Sequence, residues 1–394
     1  MTEVFDLCYG GKSTEGVARC KEIMLQSTQA LLTGEVDELE LFDYGCPNGH
    51  PEARRHLAEF LTTQYKDNVE RDSLFFTAGA THGIHLVTTV LMSADTPIFV
   101  EDPSFFNAIG MFTKDYCYPV IPVPIDEYGI DVDALEKLLQ ETPAPAHVKS
   151  PFRRMLYIMT VYHNPRGVCL PPEKCRRLVS LARQYDMLMF CDDVYNLLTY
   201  TDNGVPPPRL LSYDNKEDPD YKGNTLSNST FSKMFSPGVR VGWIETGPRI
   251  MKLLIDCFTT ISGYCYNHYM SCVIGKALEL GLIESNLSRL RRLYGERIKT
   301  ACRRLRENQL PVSFVEPKGG FFVWLQLPEN MNGKDLCEKA NAANVLVQDG
   351  SLASPTGGWK NFIRLSISAC QVDKIEKGID KLSEIIHSNV IQKV

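Results

Sequence analysis

No run in this 394-residue chain approaches the about eighteen apolar residues that a membrane-spanning helix needs. A helical membrane protein is therefore excluded, and no membrane partner is expected. The thirteen cysteines include no C-x-x-C pair, and their number is odd. Neither a zinc ribbon nor a disulfide-stapled secreted scaffold fits that pattern, and no metal is assigned. Cys191, Cys257 and Cys272 fall in apolar segments, as reduced, buried thiols of a cytosolic protein do. An excess of positive charge is also missing. Lys and Arg total 42 against 48 Asp and Glu, a formal net charge of −6, so nothing draws the chain broadly to nucleic acid or anionic lipid. The amino terminus, MTEVFDLCYGGKSTEG, has neither an apolar signal core nor an arginine-rich presequence, and the ending NVIQKV carries no sorting tripeptide or lipidation box. A cytoplasmic location is the expectation.

What the chain does have is the length for two domains and a globular composition, 44% hydrophobic and 23% charged. A Gly-rich opening at Tyr9-Gly10-Gly11 precedes an amphipathic helix predicted over residues 14–32, and a second helix is predicted over 51–65. From Ser73 a repeated rhythm of apolar strand, small turn and helix begins: LFFTAGATHGIHLVTTVLM, PIFVEDPSFFNAIGMF, then MLYIMTVYHNPRGV with a helix over 172–185. MLMFCDDVYNLLTY, TLSNSTFSK and VGWIE supply further strands. Continuous apolar strands alternating with helices point to an α/β fold with a mostly parallel sheet covered by helices. After Lys252 the pattern turns helical. The run RLRRLYGERIKTACRRLREN reads as a solvated helix face rather than a nucleic-acid patch. Strand, helix, strand, strand (NVLVQDG, NFIRLSIS) and helix then form a smaller α+β lobe. The expected division is an amino-terminal arm with part of the small domain over 1–44, a large domain over 45–284 and the small domain over 285–394.

The chemistry concentrates in LSNSTFSKMFSPGVRVGW, residues 226–243, where Lys233 follows Thr230 and Ser232 and precedes Arg240. An amine, two hydroxyls and a guanidinium suit a phosphate-bearing aldehyde: the amine condenses with the carbonyl while the others hold the phosphate. A solvated loop is the competing reading. Ligands of parallel sheets gather at the carboxyl ends of strands, and other unusual polar residues sit at such ends. Gly79-Ala80-Thr81 opens a helix whose free N–H groups suit a phosphate. Phe105 could stack on a planar ring, or simply belong to the core. Asn164, fixed by Pro165, could aim an amide at a ring oxygen, or mark only a turn, and its bond to Pro165 is a candidate for cis geometry. Asp192 ends an apolar strand, where a carboxylate needs a cation such as a protonated pyridine or must reach water. Tyr195, three residues on, could reach the neighbouring ring oxygen. Arg364 lies inside an apolar strand and calls for a planar anion, either a substrate carboxylate or a structural partner. Ring nitrogen, phenolic oxygen, phosphate and aldehyde together describe pyridoxal 5'-phosphate.

The ordered set YGCPNG, GATHG, EDPSF, HNPRG, CDDVY, STFSKMFSPGVRVGW, PKGGFFVWL and FIRLSIS resembles the class I/II (fold-type I) pyridoxal-phosphate-dependent aminotransferases over nearly the whole chain. Within them it is most similar to the 2-aminoadipate, aromatic and multi-substrate branch. The resemblance implies a seven-stranded large domain and a small domain. It also implies that Lys233 bonds the cofactor, Asp192 holds the ring nitrogen protonated, Tyr195 and Asn164 bond the ring oxygen, and Phe105 stacks on the ring. Gly79, Ala80, Thr81, Thr230, Ser232 and Arg240 would hold the phosphate, with Tyr44 reaching it from a second subunit of a homodimer with shared active sites. Arg364 would grip the substrate α-carboxylate beside Tyr9, Gly10 and Asn164. Two departures stand out: Ala80-Thr81 and Thr230 occupy positions where serine is frequent. The implied reaction exchanges an amino group between an amino acid and a 2-oxo acid such as 2-oxoglutarate. Lyases and synthases on the same scaffold are the alternative. A non-catalytic regulator would need a DNA-binding segment of several tens of residues before Tyr9, where eight residues stand. The stretch ISGYCYNHY, residues 261–269, lacks the second arginine of dicarboxylate-specific relatives and is rich in aromatics. Aromatic, long aliphatic and 2-aminoadipate donors are therefore expected, with Lys12 or Arg19 swinging in when a side-chain carboxylate is present.

Overall fold

The computed structural model describes residues 3–391; the last three residues of the tail read for sorting signals, and residues 1–2, lie outside the described residues. The chain opens with helices α1 (Thr14–Val17), α2 (Cys20–Leu32) and α3 (Pro51–Tyr65). Seven strands follow: β1 (Leu74–Thr77), β2 (Ile98–Glu101), β3 (Val120–Val123), β4 (Arg154–Ile158), β5 (Met187–Asp192), β6 (Thr225–Thr230) and β7 (Gly242–Thr246). They form one sheet in the order β1-β7-β6-β5-β4-β2-β3. Neighbours from β3 through β6 run parallel. Only β7 runs antiparallel, to both β1 and β6.

Helix α4 (Ala80–Leu91) follows β1, and α5 (Pro172–Tyr185) joins β4 to β5. Successive strand residues point to opposite faces, and here both faces are covered. Val100, Met155, Tyr157, Leu188 and Phe190 pack with Ile84, Val87 and Leu91 of α4 on one side. Phe99, Leu156, Ile158, Met189 and Cys191 pack with Leu178 and Ala182 of α5 on the other. Double-sided burial is why these strands read as unbroken apolar runs.

Beyond the sheet, α6 (His268–Glu279) and the 26-residue α7 (Leu282–Glu307) lead into a smaller domain. It holds the antiparallel sheet β8 (Phe322–Gln326), β9 (Gln348–Asp349) and β10 (Phe362–Ser366), in the order β8-β10-β9, with α8 (Gly333–Ala342) and α9 (Val372–Ile391). The short strand Phe5–Asp6 pairs in parallel with Val345–Leu346, which fastens the amino-terminal arm to this domain. Among the described residues no helix is long and apolar enough to cross a membrane. The cysteines are all free thiols.

Three sequence expectations are corrected. The single helix over 14–32 is broken between α1 and α2, because Arg289 of α7 donates to the carbonyls of Glu15 (2.9 Å) and Gly16 (3.4 Å) and so competes with the helical ladder. The single strand at NVLVQDG is two short ones serving different sheets, since Val345–Leu346 pairs with Phe5–Asp6 and β9 with β10. The arginines of α7 do not all lie on a solvated face. Arg297 is fully buried and donates to Ser13 Oγ (3.0 Å) and the Ser368 carbonyl (2.8 Å), with Glu15 as its ion-pair partner.

Candidate active site

The carboxyl ends of β1, β5 and β6 place the residues singled out by sequence around one centre. β5 ends on Asp192, which is 4% exposed. Tyr157 Oη donates to Asp192 Oδ2 at 2.6 Å, and Asn228 Nδ2 donates to Oδ1 at 3.1 Å. Burial pushes this carboxyl up to about 6, against the lowering effect of Tyr157, Asn228 and the Lys233 charge. A carboxylate with two donors in an apolar setting is built to meet a cation. Neither Tyr157 nor Asn228 was found by sequence reasoning. Tyr157 reads as a core aromatic in an apolar strand, and Asn228 hides among the hydroxyl residues of SNST; a lone amide in a buried strand was the available signal.

β6 runs into a four-residue helical turn, Phe231–Met234, that carries Lys233. Thr230 caps the turn by accepting from Ser232 N (3.1 Å) and donates to Ser232 Oγ (2.9 Å), which fixes where the following lysine emerges. Lys233 Nζ donates to the carbonyl of Gly10 at 3.1 Å and lies 5.7 Å from the Tyr195 ring centre and 5.8 Å from that of Phe321. Burial, helped by the Arg364 charge, lowers this amine to about 8. Tyr195 is itself buried, edge-on to Phe321 and Phe322.

At the end of β1 the chain turns through Ala78 and Gly79 into α4. Gly79 has φ +98°, in the region that favours glycine, and a Cβ there would stand 2.6 Å from Arg240 Nη2. Arg240 closes over this turn, donating to the carbonyls of Pro237 (2.9 Å) and Ala78 (3.3 Å). The positive end of α4, at Ala80-Thr81, and a guanidinium therefore share one cradle.

Arg364 of β10 is 4% exposed and stacks 4.0 Å from the Phe322 ring centre. It donates to Asn164 Oδ1 (2.9 Å) and to the Cys8 carbonyl (3.1 Å), while its Nε is buried without an acceptor. Burial lowers it to about 10. The Asn164-Pro165 bond is cis, as is Asp102-Pro103. The arm crosses this centre, since the carbonyls of Cys8 and Gly10 accept from Arg364 and Lys233. Lys12 Nζ donates to the Phe235 carbonyl at 2.6 Å, and burial lowers that amine to about 7.

Other expected residues stand apart from these bonds. Tyr9 is 62% exposed, though its carbonyl accepts from Ser366 Oγ at 2.9 Å. Tyr44 is 68% exposed and rests against the Tyr264 ring. Phe105 is half-buried, edge-on to Phe106, and lines a cleft that also includes Thr81. Arg19 is directed to Glu22 and Ser285, not to the centre.

These side chains fit a phosphorylated pyridine aldehyde. Asp192 is a buried carboxylate suited to a cation, Asn228 Oδ1 and Arg364 Nε are buried without partners, and at Gly79 the Arg240 guanidinium meets the positive end of α4, the pairing an anion calls for. Comparison with known proteins agrees. The model of the family "Aminotransferase class I and II" matches residues 2–382. An aromatic-amino-acid aminotransferase of Thermococcus litoralis is 29% identical over 93% of this chain and 84% of its own. A 2-aminoadipate transaminase of Thermus thermophilus is 27% identical over 87% of this chain and 81% of its own. The structure of a Pyrococcus horikoshii kynurenine aminotransferase, complexed with PMP, superimposes with a TM-score of 0.84 at 26% identity, covering 99% of this chain and 92% of that one. Fold, site chemistry and a family model spanning nearly the whole sequence lead to one conclusion: the chain belongs to the class I and II aminotransferases and is a pyridoxal-phosphate-dependent enzyme.

Proposed function

We propose that the enzyme takes amino groups from aromatic, long aliphatic and 2-aminoadipate donors and passes them to a 2-oxo acid such as 2-oxoglutarate. The observation that carries this reading is a pair of cations, the buried Arg364 and the half-buried Lys12, held close to Lys233 and forming no ion pair among the described residues. A buried cation without a carboxylate is costly unless a ligand supplies one. Arg364, gripped by Asn164 and stacked on Phe322, has the planar fork for an α-carboxylate. Lys12 is a single compact charge suited to a distal carboxylate, and because burial lowers it to about 7 it can lose its proton when an apolar side chain takes that place. Of the two cations expected to serve dicarboxylates, the geometry favours Lys12, because Arg19 is engaged with Glu22.

In this reading Asp192 would hold the proton on the ring nitrogen, with Tyr157 and Asn228 keeping the carboxylate oriented. Asn164 and Tyr195 would donate to the ring oxygen, and Phe105 would cover the ring. The turn Gly79-Ala80-Thr81, Thr230, Ser232 and Arg240 would hold the phosphate. When bound, pyridoxal phosphate supplies the electron-poor ring that accepts the charge left at the donor Cα. Lys233 would anchor the cofactor; once released, its amine, which burial lowers to about 8, would move a proton from the donor Cα to the carbon that had carried the aldehyde. The walls formed by Phe321, Phe322 and Tyr195 keep water from this transfer. Tyr44 completes the phosphate cup of a second subunit, consistent with the exposed aromatics Tyr44, Phe258, Tyr264 and Tyr266. The free thiols accord with a cytoplasmic enzyme.

Steady-state kcat/KM values across a panel of donors, with 2-oxoglutarate and pyruvate as acceptors, test this directly. Phenylalanine, leucine and 2-aminoadipate should all exceed aspartate, whose short carboxylate stops short of Lys12. Aspartate ranking above the three overturns the reading.

A further inference from the structure

The charged run on α7 leaves a feature that transamination does not use. A cleft of about 690 Å³ opens between the loop 199–204 and α7, sharing no lining residue with the centre around Lys233. Its size is that of a small-metabolite site. Gly295 lets the loop lie close against the helix there, with Tyr200 Cβ 3.5 Å from where a Cβ on the glycine would be. Three cations line the cleft without forming an ion pair among the described residues: Arg291, Arg292 and Lys299. Arg291 is half-buried; its Nε donates to the Leu197 carbonyl at 2.7 Å, and its Nη2 is buried with no acceptor. Arg303 also lines the cleft but is neutralised by Glu307 and Glu376. Two acids, Asp202 and Glu296, face the same space, so the three unpaired cations leave it net positive. A guanidinium lowered by burial with an unused N–H is a stronger pointer than surface charge alone.

The walls of this cleft are bonded to the catalytic centre. Thr199 Oγ1 accepts from Tyr162 Oη at 2.7 Å, and Tyr162 lies two residues before Asn164, the partner of Arg364. Tyr200 Oη donates to the Gly320 carbonyl at 2.6 Å, next to Phe321 and Phe322. Leu197, which fixes Arg291, is two residues from Tyr195. An anion that drew Arg291 and the loop together would move groups tied to the substrate carboxylate site.

We propose that this cleft binds a small polyanion, a metabolite with two or more phosphate or carboxylate groups, through Arg291, Arg292 and Lys299, and that its occupancy changes the KM for the amino donor. The test uses the holoenzyme, in which the cofactor's phosphate site is filled, titrated calorimetrically at low salt with pyrophosphate and, separately, with citrate. One saturable site per chain is expected for at least one probe, and the tighter of the two identifies phosphate or carboxylate as the recognised group. In the double variant Arg292→Gln/Lys299→Gln, both residues being exposed, binding should weaken at least tenfold while kcat and Tm without probe stay as in the parent. Saturating probe should shift the donor KM of the parent at least twofold and leave that of the variant unmoved. Absence of saturable binding to either probe, or equal binding by parent and variant, overturns the site. Binding with an unaltered donor KM overturns its coupling to catalysis.

Discussion

An amine half-hidden from water titrates according to its surroundings, and in the proposed pocket Lys12 would make substrate choice depend on pH. Burial, reinforced by the nearby Arg289 and Lys233 charges, lowers it from 10.5 to about 7. It is therefore cationic below about 7 and neutral above. A distal carboxylate needs the cation, whereas a phenyl ring does not. The ratio of kcat/KM for 2-aminoadipate over phenylalanine should thus fall as pH rises through about 7. In Lys12→Met the ratio should drop roughly 10- to 100-fold, as for loss of one charge-assisted hydrogen bond, and should lose its pH dependence. A ratio independent of pH in the parent removes Lys12 from substrate recognition. At this scale the sequence was most informative where a polar residue interrupts an apolar strand, because burial without a partner is too costly to be accidental. That logic singled out Asp192 and Arg364, whereas Lys233 stood out by its hydroxyl neighbours and Asn164 by the proline that follows it. It missed Tyr157 and Asn228, whose polar tips matter only through a contact across strands, between β4, β5 and β6.

At the scale of elements, the strand–turn–helix rhythm was legible because each strand is buried on both faces and each turn carries small residues or proline. Helices α3 and α5 were legible to the residue, both having Pro at the first turn and a left-handed residue, Lys66 or Asp186, just beyond the end. What escaped was every feature set from a distance: the break between α1 and α2, imposed by Arg289, and the strand shared between two sheets at 345–349. Close packing between α4 and β6 gives a prediction at this scale. A Cβ on Gly83 of α4 would stand 1.9 Å from Asn228 Oδ1, so alanine there must displace the amide that orients Asp192. Alanine is otherwise the better helix former by about 1 kcal/mol, so a purely helical effect would stabilise the protein. Gly83→Ala should instead weaken cofactor binding roughly 5- to 20-fold, the cost of about one buried hydrogen bond to a charged group. Fluorescence titration of the apoenzyme with pyridoxal phosphate reads this out. Unchanged affinity together with a raised Tm shows that Asn228 does not act through Asp192.

At the scale of the whole molecule, exposed aromatics stand both on the arm and on the segment after β7, where Tyr44 meets Tyr264. Phe258 is 87% exposed, Tyr44 68% and Tyr266 41%. Among the described residues Tyr44 is bonded to no group of the centre in its own chain, although the other residues proposed to hold the phosphate gather at the ends of β1 and β6. The proposed symmetric dimer would resolve this, because a two-fold interface places the same residue at each partner's site in turn. The arrangement has a consequence that a self-contained subunit does not share. In such a dimer Tyr44→Ala and Lys233→Ala should each be impaired as homodimers. When equal amounts are unfolded and refolded together, half of the dimers should be hybrids. Each hybrid pairs the intact Lys233 of one chain with the intact Tyr44 of the other, restoring one site in two, so about a quarter of parental activity should return. If Tyr44 served its own chain, every site in the hybrid would carry a defect and mixing would restore nothing. Activity measured before and after co-refolding, with each variant refolded alone as the baseline, separates the two geometries.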